Sequence, residues 1–204
     1  KSKDQIVIYP CTNSGYGKSV DGSVVTEKSP LNPVSLYGKT KVDAETIFRE
    51  TENCATFRLA TVCGPSSRMR TDLLVNNFVL RALRDRVLVL YECEFMRNYV
   101  HIHDVCRSFK FLIDNWDDCK NDTYNLGHDA MNMNKLQLAE KIGEHTPLEI
   151  IKAEFTKDPD VRDYIVSSQK IYDKGFECLY DLDTSIQQLI KAYKIIDSPW
   201  YANY

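Results

Sequence analysis

The chain has 204 residues, 43% of them hydrophobic and 27% charged, and its formal net charge is -3. That length suits one compact unit, or one and a half small ones, with the composition of an ordinary soluble globular protein. The charge gives no electrostatic case for nucleic acid. Apolar runs such as Val87–Leu90 fall far short of the roughly 20 residues needed to cross a bilayer, and the polar first residues give no signal-peptide pattern.

The reading in chain order begins with Ile6–Tyr9, an apolar run of strand length. Ser35 to about Arg49 follows Pro33 and reads as a helix, with Val42, Ile47 and Phe48 among polar residues. Thr56–Cys63 reads as one buried strand stopped by Gly64-Pro65. Asp72 suits an N-cap for a helix whose stripe runs from Leu73 to Leu83. Val87–Tyr91 and Asn98–Ile102 are two more strands, and Asp104 caps a helix reaching Ile113. Tyr124–Leu126 is a strand ended by Gly127. Leu136–Ile142 and Thr184–Ile195 are helices, with Gly175 closing a short one between them. Alternating strands and helices predict an α/β fold with a mainly parallel sheet.

The seven cysteines, at positions 11, 54, 63, 93, 106, 119 and 178, contain no CxxC pair. That excludes a zinc ribbon and a thioredoxin motif and fits a reduced, cytoplasmic protein. His101 and His103, read as alternating on one strand face, form a conceivable metal pair, but no third ligand has suitable spacing, so no metal is expected. Gly17-Lys18-Ser19 imitates the end of a phosphate-binding loop, yet Thr12 stands where the motif needs glycine. The aromatic tail Trp200–Tyr204 reads as a packed or frayed terminus. Nothing matches GxGxxG, the turn that opens a dinucleotide fold and holds the pyrophosphate at a helix N-terminus. The sequence reads as if it begins mid-sheet, which suggests part of a longer protein.

The chemical signal is Tyr37-Gly38-Lys39-Thr40-Lys41. Spacing of four puts Tyr37 and Lys41 on one helical face. An ammonium near a phenol favours the phenolate, lowering its pKa from about 10 towards neutrality. Such a phenol can take a proton from a hydroxyl while hydride leaves the same carbon.

Upstream lies Tyr9-Pro-Cys-Thr-Asn-Ser-Gly-Tyr-Gly17, with Thr12 four residues before Tyr16-Gly17 and about twenty-five before Tyr37. This arrangement resembles the extended short-chain dehydrogenase/reductases, NAD-dependent nucleotide-sugar epimerases and dehydratases. The likeness continues in Arg58-Leu-Ala-Thr-Val-Cys-Gly-Pro65, in Arg97-Asn-Tyr-Val-His-Ile-His-Asp104 and in Asp160-Val-Arg-Asp-Tyr164 with Ser168 and Gly175-Phe176. Two departures stand out. Thr61 takes the place of a frequent Asn, and the glycine-rich NAD turn and first four strands have no counterpart.

The resemblance implies a partial Rossmann-type fold, doubly wound, with a small α+β substrate-binding subdomain. Residues 1–65 would form the second half of the NAD-binding domain. Residues 66–204 would form mainly the substrate subdomain, with strands in about 97–127 returning to the Rossmann sheet. It implies Tyr37 as acid/base, Lys41 on the nicotinamide ribose, and Thr12 bonded to the reacting hydroxyl. Arg97 and Arg162 would hold the substrate diphosphate, and Asn76 is a further substrate candidate. The competing structural readings are a strand end for Thr12 and surface ion pairing for the two arginines. The implied cofactor is NAD rather than NADP, the substrate a nucleotide-diphosphate sugar, and the assembly a homodimer through a helix bundle that includes the YxxxK helix.

Relatives that dehydrate place Asp-Glu after the Thr, and decarboxylases commonly carry Glu at the second of these positions. Asn13-Ser14 here disfavours both, since neither supplies the needed acid or base. Epimerisation leads, ahead of a nucleotide-sugar dehydrogenase or ketoreductase and of a non-catalytic binding protein of the same fold.

Overall fold

A computed structural model describes residues 5–19, 22–153 and 162–196. Asp160, Val161 and the tail Trp200–Tyr204 lie outside the described residues. Within them the strands are β1 (Val7–Thr12), β2 (Val24–Val25), β3 (Cys54–Leu59), β4 (Thr61–Cys63), β5 (Val87–Tyr91), β6 (Met96–His101), β7 (Asp122–Leu126), β8 (Asn132–Asn134), β9 (Glu149–Ala153) and β10 (Ile165–Val166). The helices are α1 (Leu36–Arg49), α2 (Leu74–Arg84), α3 (Ile102–Asp114), α4 (Trp116–Cys119), α5 (Lys135–Gly143), α6 (Gln169–Tyr172) and α7 (Leu182–Ile195).

Three strands form a parallel sheet in the order β1-β3-β7, and β4-β6-β8 form a second. The pairs β5–β9 and β2–β10 are parallel as well, which leaves β6–β8 as the antiparallel pair. The fold is therefore α/β with mainly parallel pairing, as expected. Beside a small cluster of Tyr16, Val25, Tyr164 and Val166, the described residues form two larger apolar cores. One packs Val75, Val79, Leu88, Leu138, Ile142, Ile186 and Leu189 among α2, α5, α7 and β5. The other packs Ala55, Phe57, Val100, Leu112, Tyr124 and Leu126 between the first sheet and α3.

Four expectations are corrected. The run 56–63 is not one strand. It breaks at Ala60, β3 pairing with β1 and β7 while β4 pairs with β6. The second half is only three residues long, too short to show a change of period that would betray the change of partners. Asp72 does not cap α2, because the Arg70 guanidinium takes its carboxylate and Leu73 occupies the cap without a side-chain bond. Asp104 does not cap α3 either. That helix starts three residues earlier, capped by His101, whose Nδ1 accepts from the His103 N–H at 3.1 Å. Fully buried Asp104 instead accepts from the backbone N–H groups of Leu179 and Tyr180. His103 is thus helical, and the two histidines do not share a strand face.

Candidate active site

The site is built around the start of α1. Ser35 caps this helix, its hydroxyl accepting from the Gly38 N–H at 3.0 Å. Gly38 allows a close approach, since a Cβ there would lie 3.1 Å from the Ser14 carbonyl. The helix is then clamped by Glu45, eight residues after Tyr37 and turned inward, 1% exposed. Arg58 of β3 meets the Glu45 carboxylate through Nε at 3.1 Å and Nη2 at 2.6 Å, with both side chains 2% exposed. Its remaining nitrogen reaches the Tyr16 hydroxyl at 3.0 Å, which in turn donates to Asn125 Oδ1 at 2.5 Å. One buried polar chain therefore ties α1 to β3, to the Asn13–Tyr16 turn and to β7. Every member is hydrogen-bonded, the condition under which such a network rigidifies.

A cleft of about 1000 Å³ opens at the carboxyl ends of β1 and β3 and is walled on its other side by β4, β6 and α2. Thr12, Tyr37, Lys41, Asn76, Arg97 and Arg162 all line it. Thr12 closes β1, and its Oγ1 accepts from the Ser14 N–H at 3.1 Å, which leaves its hydroxyl proton to donate. Tyr37, on the first turn of α1, is 57% exposed and open to a ligand. The Lys41 ammonium lies over the Tyr9 ring. Arg97 is 3% exposed, and one guanidinium nitrogen donates to the Met96 carbonyl at 3.0 Å. Arg162 donates to the Ser14 hydroxyl. Asn76 is buried with its amide turned to the protein's own backbone, accepting from Gly64 N–H and donating to the Arg70 carbonyl. It fixes the 64–70 loop that walls the cleft. Gly64 has φ +100°, and a Cβ on it would meet the His101 ring at 2.5 Å.

Sequence reasoning missed Arg68, Arg70 and Lys135, which join the cleft wall. Nothing in their local pattern marks them. Six cationic side chains thus face the cleft against one carboxylate among the described lining residues, Asp72, which is itself paired with Arg70. An excess of cationic over anionic groups among the described lining residues suits an anionic ligand. Cys11 and Cys63 also line the cleft, but burial pushes each thiol up to about 12, so neither serves as a thiolate nucleophile.

The model of the NAD dependent epimerase/dehydratase family matches residues 2–127. The chain belongs to that family. Among solved structures, the dTDP-glucose 4,6-dehydratase of Bacillus anthracis in complex with NAD is 21% identical with a TM-score of 0.77, covering 96% of this chain and 63% of that one. The UDP-glucose 4-epimerase of Thermotoga maritima with UDP-glucose is 22% identical with a TM-score of 0.79, covering 92% and 63%. A Pseudomonas aeruginosa protein, RMD, complexed with NADPH, is 17% identical with a TM-score of 0.76, covering 93% and 66%. At these identities the likeness establishes the fold, and the chain spans a little under two thirds of each relative.

Proposed function

We propose that this chain forms the catalytic and substrate-facing part of an NAD-dependent nucleotide-sugar epimerase. The observation that carries the reading is the convergence of Thr12, Tyr37 and Lys41 with a strongly cationic cleft wall. The residues present suit the nicotinamide-ribose end of NAD, because the cleft sits at the carboxyl ends of parallel strands and both Lys41 and Tyr37 line it. When bound, the dinucleotide supplies the acceptor and donor of hydride.

Tyr37 takes the proton of the sugar hydroxyl and later returns it. Thr12 donates a hydrogen bond that orients that oxygen. Lys41 supports the Tyr37 phenolate and holds the ribose. Arg97 and Arg162 grip the diphosphate with planar forks suited to phosphate oxygens. Asn76 acts by holding the cleft-wall loop in place. Residues 1–65 belong to the dinucleotide half and 66–204 mainly to the substrate half, with strands in about 97–127 shared between them.

Epimerisation is favoured over dehydration because the described cleft wall offers no spare carboxylic acid. Asn13 is buried, Ser14 accepts from Arg162, and Asp72 is ion-paired. A homodimer through α1 belongs to the same proposal, supported by Leu36 and Ile47, which are 78% and 66% exposed on that helix. No described helix is long and apolar enough to cross a membrane, and a cytoplasmic setting is proposed from the free thiols.

The test is to incubate the holoenzyme with UDP- and dTDP-hexoses and follow both sugar stereochemistry and reduced cofactor. Inversion without accumulation of NADH is the expected result. Stoichiometric NADH would instead identify a dehydrogenase, a keto-deoxy sugar would identify a dehydratase, and binding without turnover would identify the non-catalytic relative.

A further inference from the structure

The chemistry asks for the charge of Lys41 in one place, and a lysine on its flexible four-carbon stem is poorly suited to staying there. The structure provides a holder. The Lys41 ammonium lies 4.7 Å from the centroid of the Tyr9 ring, inside the roughly 6 Å over which a cation is drawn to an aromatic face. The ring is itself fixed, stacked on Phe48 at 4.7 Å between centroids with planes 27° apart. Its hydroxyl donates to the Lys41 carbonyl at 3.4 Å, and the Cys11 thiol reaches the same carbonyl at 3.5 Å. Lys41 is therefore held at both ends by β1, its backbone by two donors and its ammonium by a ring. Tyr9 stands three residues before Thr12 on that strand.

Burial, with Cys11, Tyr37 and Glu45 nearby, pushes the Tyr9 phenol above its ordinary range. At neutral pH the ring therefore carries no charge that would draw the ammonium down to its oxygen. The attraction is to the face. The role is distinct from that of the clamp formed by Glu45 and Arg58, which fixes the helix as a body and leaves the lysine side chain to find its own place.

We propose that Tyr9 is a positioning residue for the proton-transfer site, its ring face holding the Lys41 ammonium where it supports Tyr37. The inference rests on the roles proposed above for Tyr37 and Lys41. A ring that served only to pack Phe48 would be replaceable by any apolar side chain, whereas a holder of charge is replaceable only by another ring.

Turnover of the holoenzyme is measured for Tyr9→Leu and Tyr9→Phe, each alone and in a Lys41→Met background. In Tyr9→Leu, kcat should fall about 10-fold, the rate equivalent of a partly desolvated cation–π contact, with KM within about twofold. Tyr9→Phe keeps the ring and should retain kcat within about twofold on the same reasoning. With Lys41→Met already present, Tyr9→Leu should cost nothing more, because the two residues act as one unit.

Wild-type kcat in Tyr9→Leu overturns the proposal, as does Tyr9→Phe being as slow as Tyr9→Leu. A Tyr9→Leu loss of the same factor with and without Lys41 also overturns it, and this outcome exposes a general loss of folding. Full turnover in the Lys41→Met and Tyr37→Phe single variants would bring down the proton-transfer reading itself, a result separable from failure of the Tyr9 proposal alone.

Discussion

Replacing Glu45 by Ala removes one half of an ion pair whose side chains are each 2% exposed. The guanidinium of Arg58 would keep its Nη1 contacts to the Tyr16 hydroxyl at 3.0 Å and the Glu27 carbonyl at 3.2 Å, but would lose its only carboxylate partner among the described residues. Stranding one member of a buried pair costs about 3–5 kcal/mol. The surviving contacts place this case near the lower end, about 3 kcal/mol on the same scale. That is a large share of the roughly 5–15 kcal/mol that holds a domain together. In urea, with a slope of about 2 kcal/mol per molar, the midpoint should drop by about 1.5 M at constant slope. Glu45→Gln keeps an oxygen for the guanidinium and should fall between wild type and Ala. A midpoint for Glu45→Ala within about 0.3 M of wild type would refute the reasoning, since it would mean that water already screens the pair as it does at a surface.

Tyr37→Phe should lower turnover by at least ~100-fold, the lower end expected for a lost acid/base group, and near-normal turnover would remove Tyr37 from that role. Arg97→Ala should weaken binding of the nucleoside diphosphate about 10- to 100-fold by calorimetry, the equivalent of one charge-assisted bond or a little more; an unchanged Kd would exclude the contact. Burial, with His103 adding to it, holds His101 below its ordinary value of 6.5. As pH falls the unfolded chain takes this proton first, so the stabilisation is complete above about pH 6.5 and declines as pH drops from there through the lowered folded value. Tm should therefore decrease from neutral to mildly acidic pH, and an equal decrease in His101→Phe would show that another group is responsible.

The YxxxK helix was legible because every local signal agreed: Pro33 before it, Ser35 as cap and a spacing of four. Five of the six candidate site residues are read from short motifs and Asn76 from its place on the helix after Asp72, and all six line one cleft. Their roles are a separate matter of chemistry. What the sequence concealed was what tertiary structure alone decides. An Asp before an apolar stretch looks like a cap until a partner such as Arg70, or a pair of loop N–H groups, claims the carboxylate. Strands of two or three residues, such as β2, β8 and β10, are too short to express a period. Arg68, Arg70 and Lys135 reach the cleft only through the path of the chain. Glu45 was findable. An arginine within the apolar run around Arg58 cannot be buried without an acid, and Glu45 on the YxxxK helix supplies it.

The passage from Leu59 to Gly64 has a mechanical consequence. All six of its residues line the cleft, and the chain crosses from one sheet to the other there with no turn, Ala60 still donating to the Leu126 carbonyl at 2.8 Å. The two walls are therefore joined by a taut strut rather than by a hinge. Any opening of one wall relative to the other must either break ladder bonds or be taken up in the loops at the rim. The spacing between the proton-transfer corner and the cationic wall is thus set by the length of extended chain, about 3.3 Å per residue. A one-residue insertion in this stretch would shift the two walls out of step while leaving each core intact.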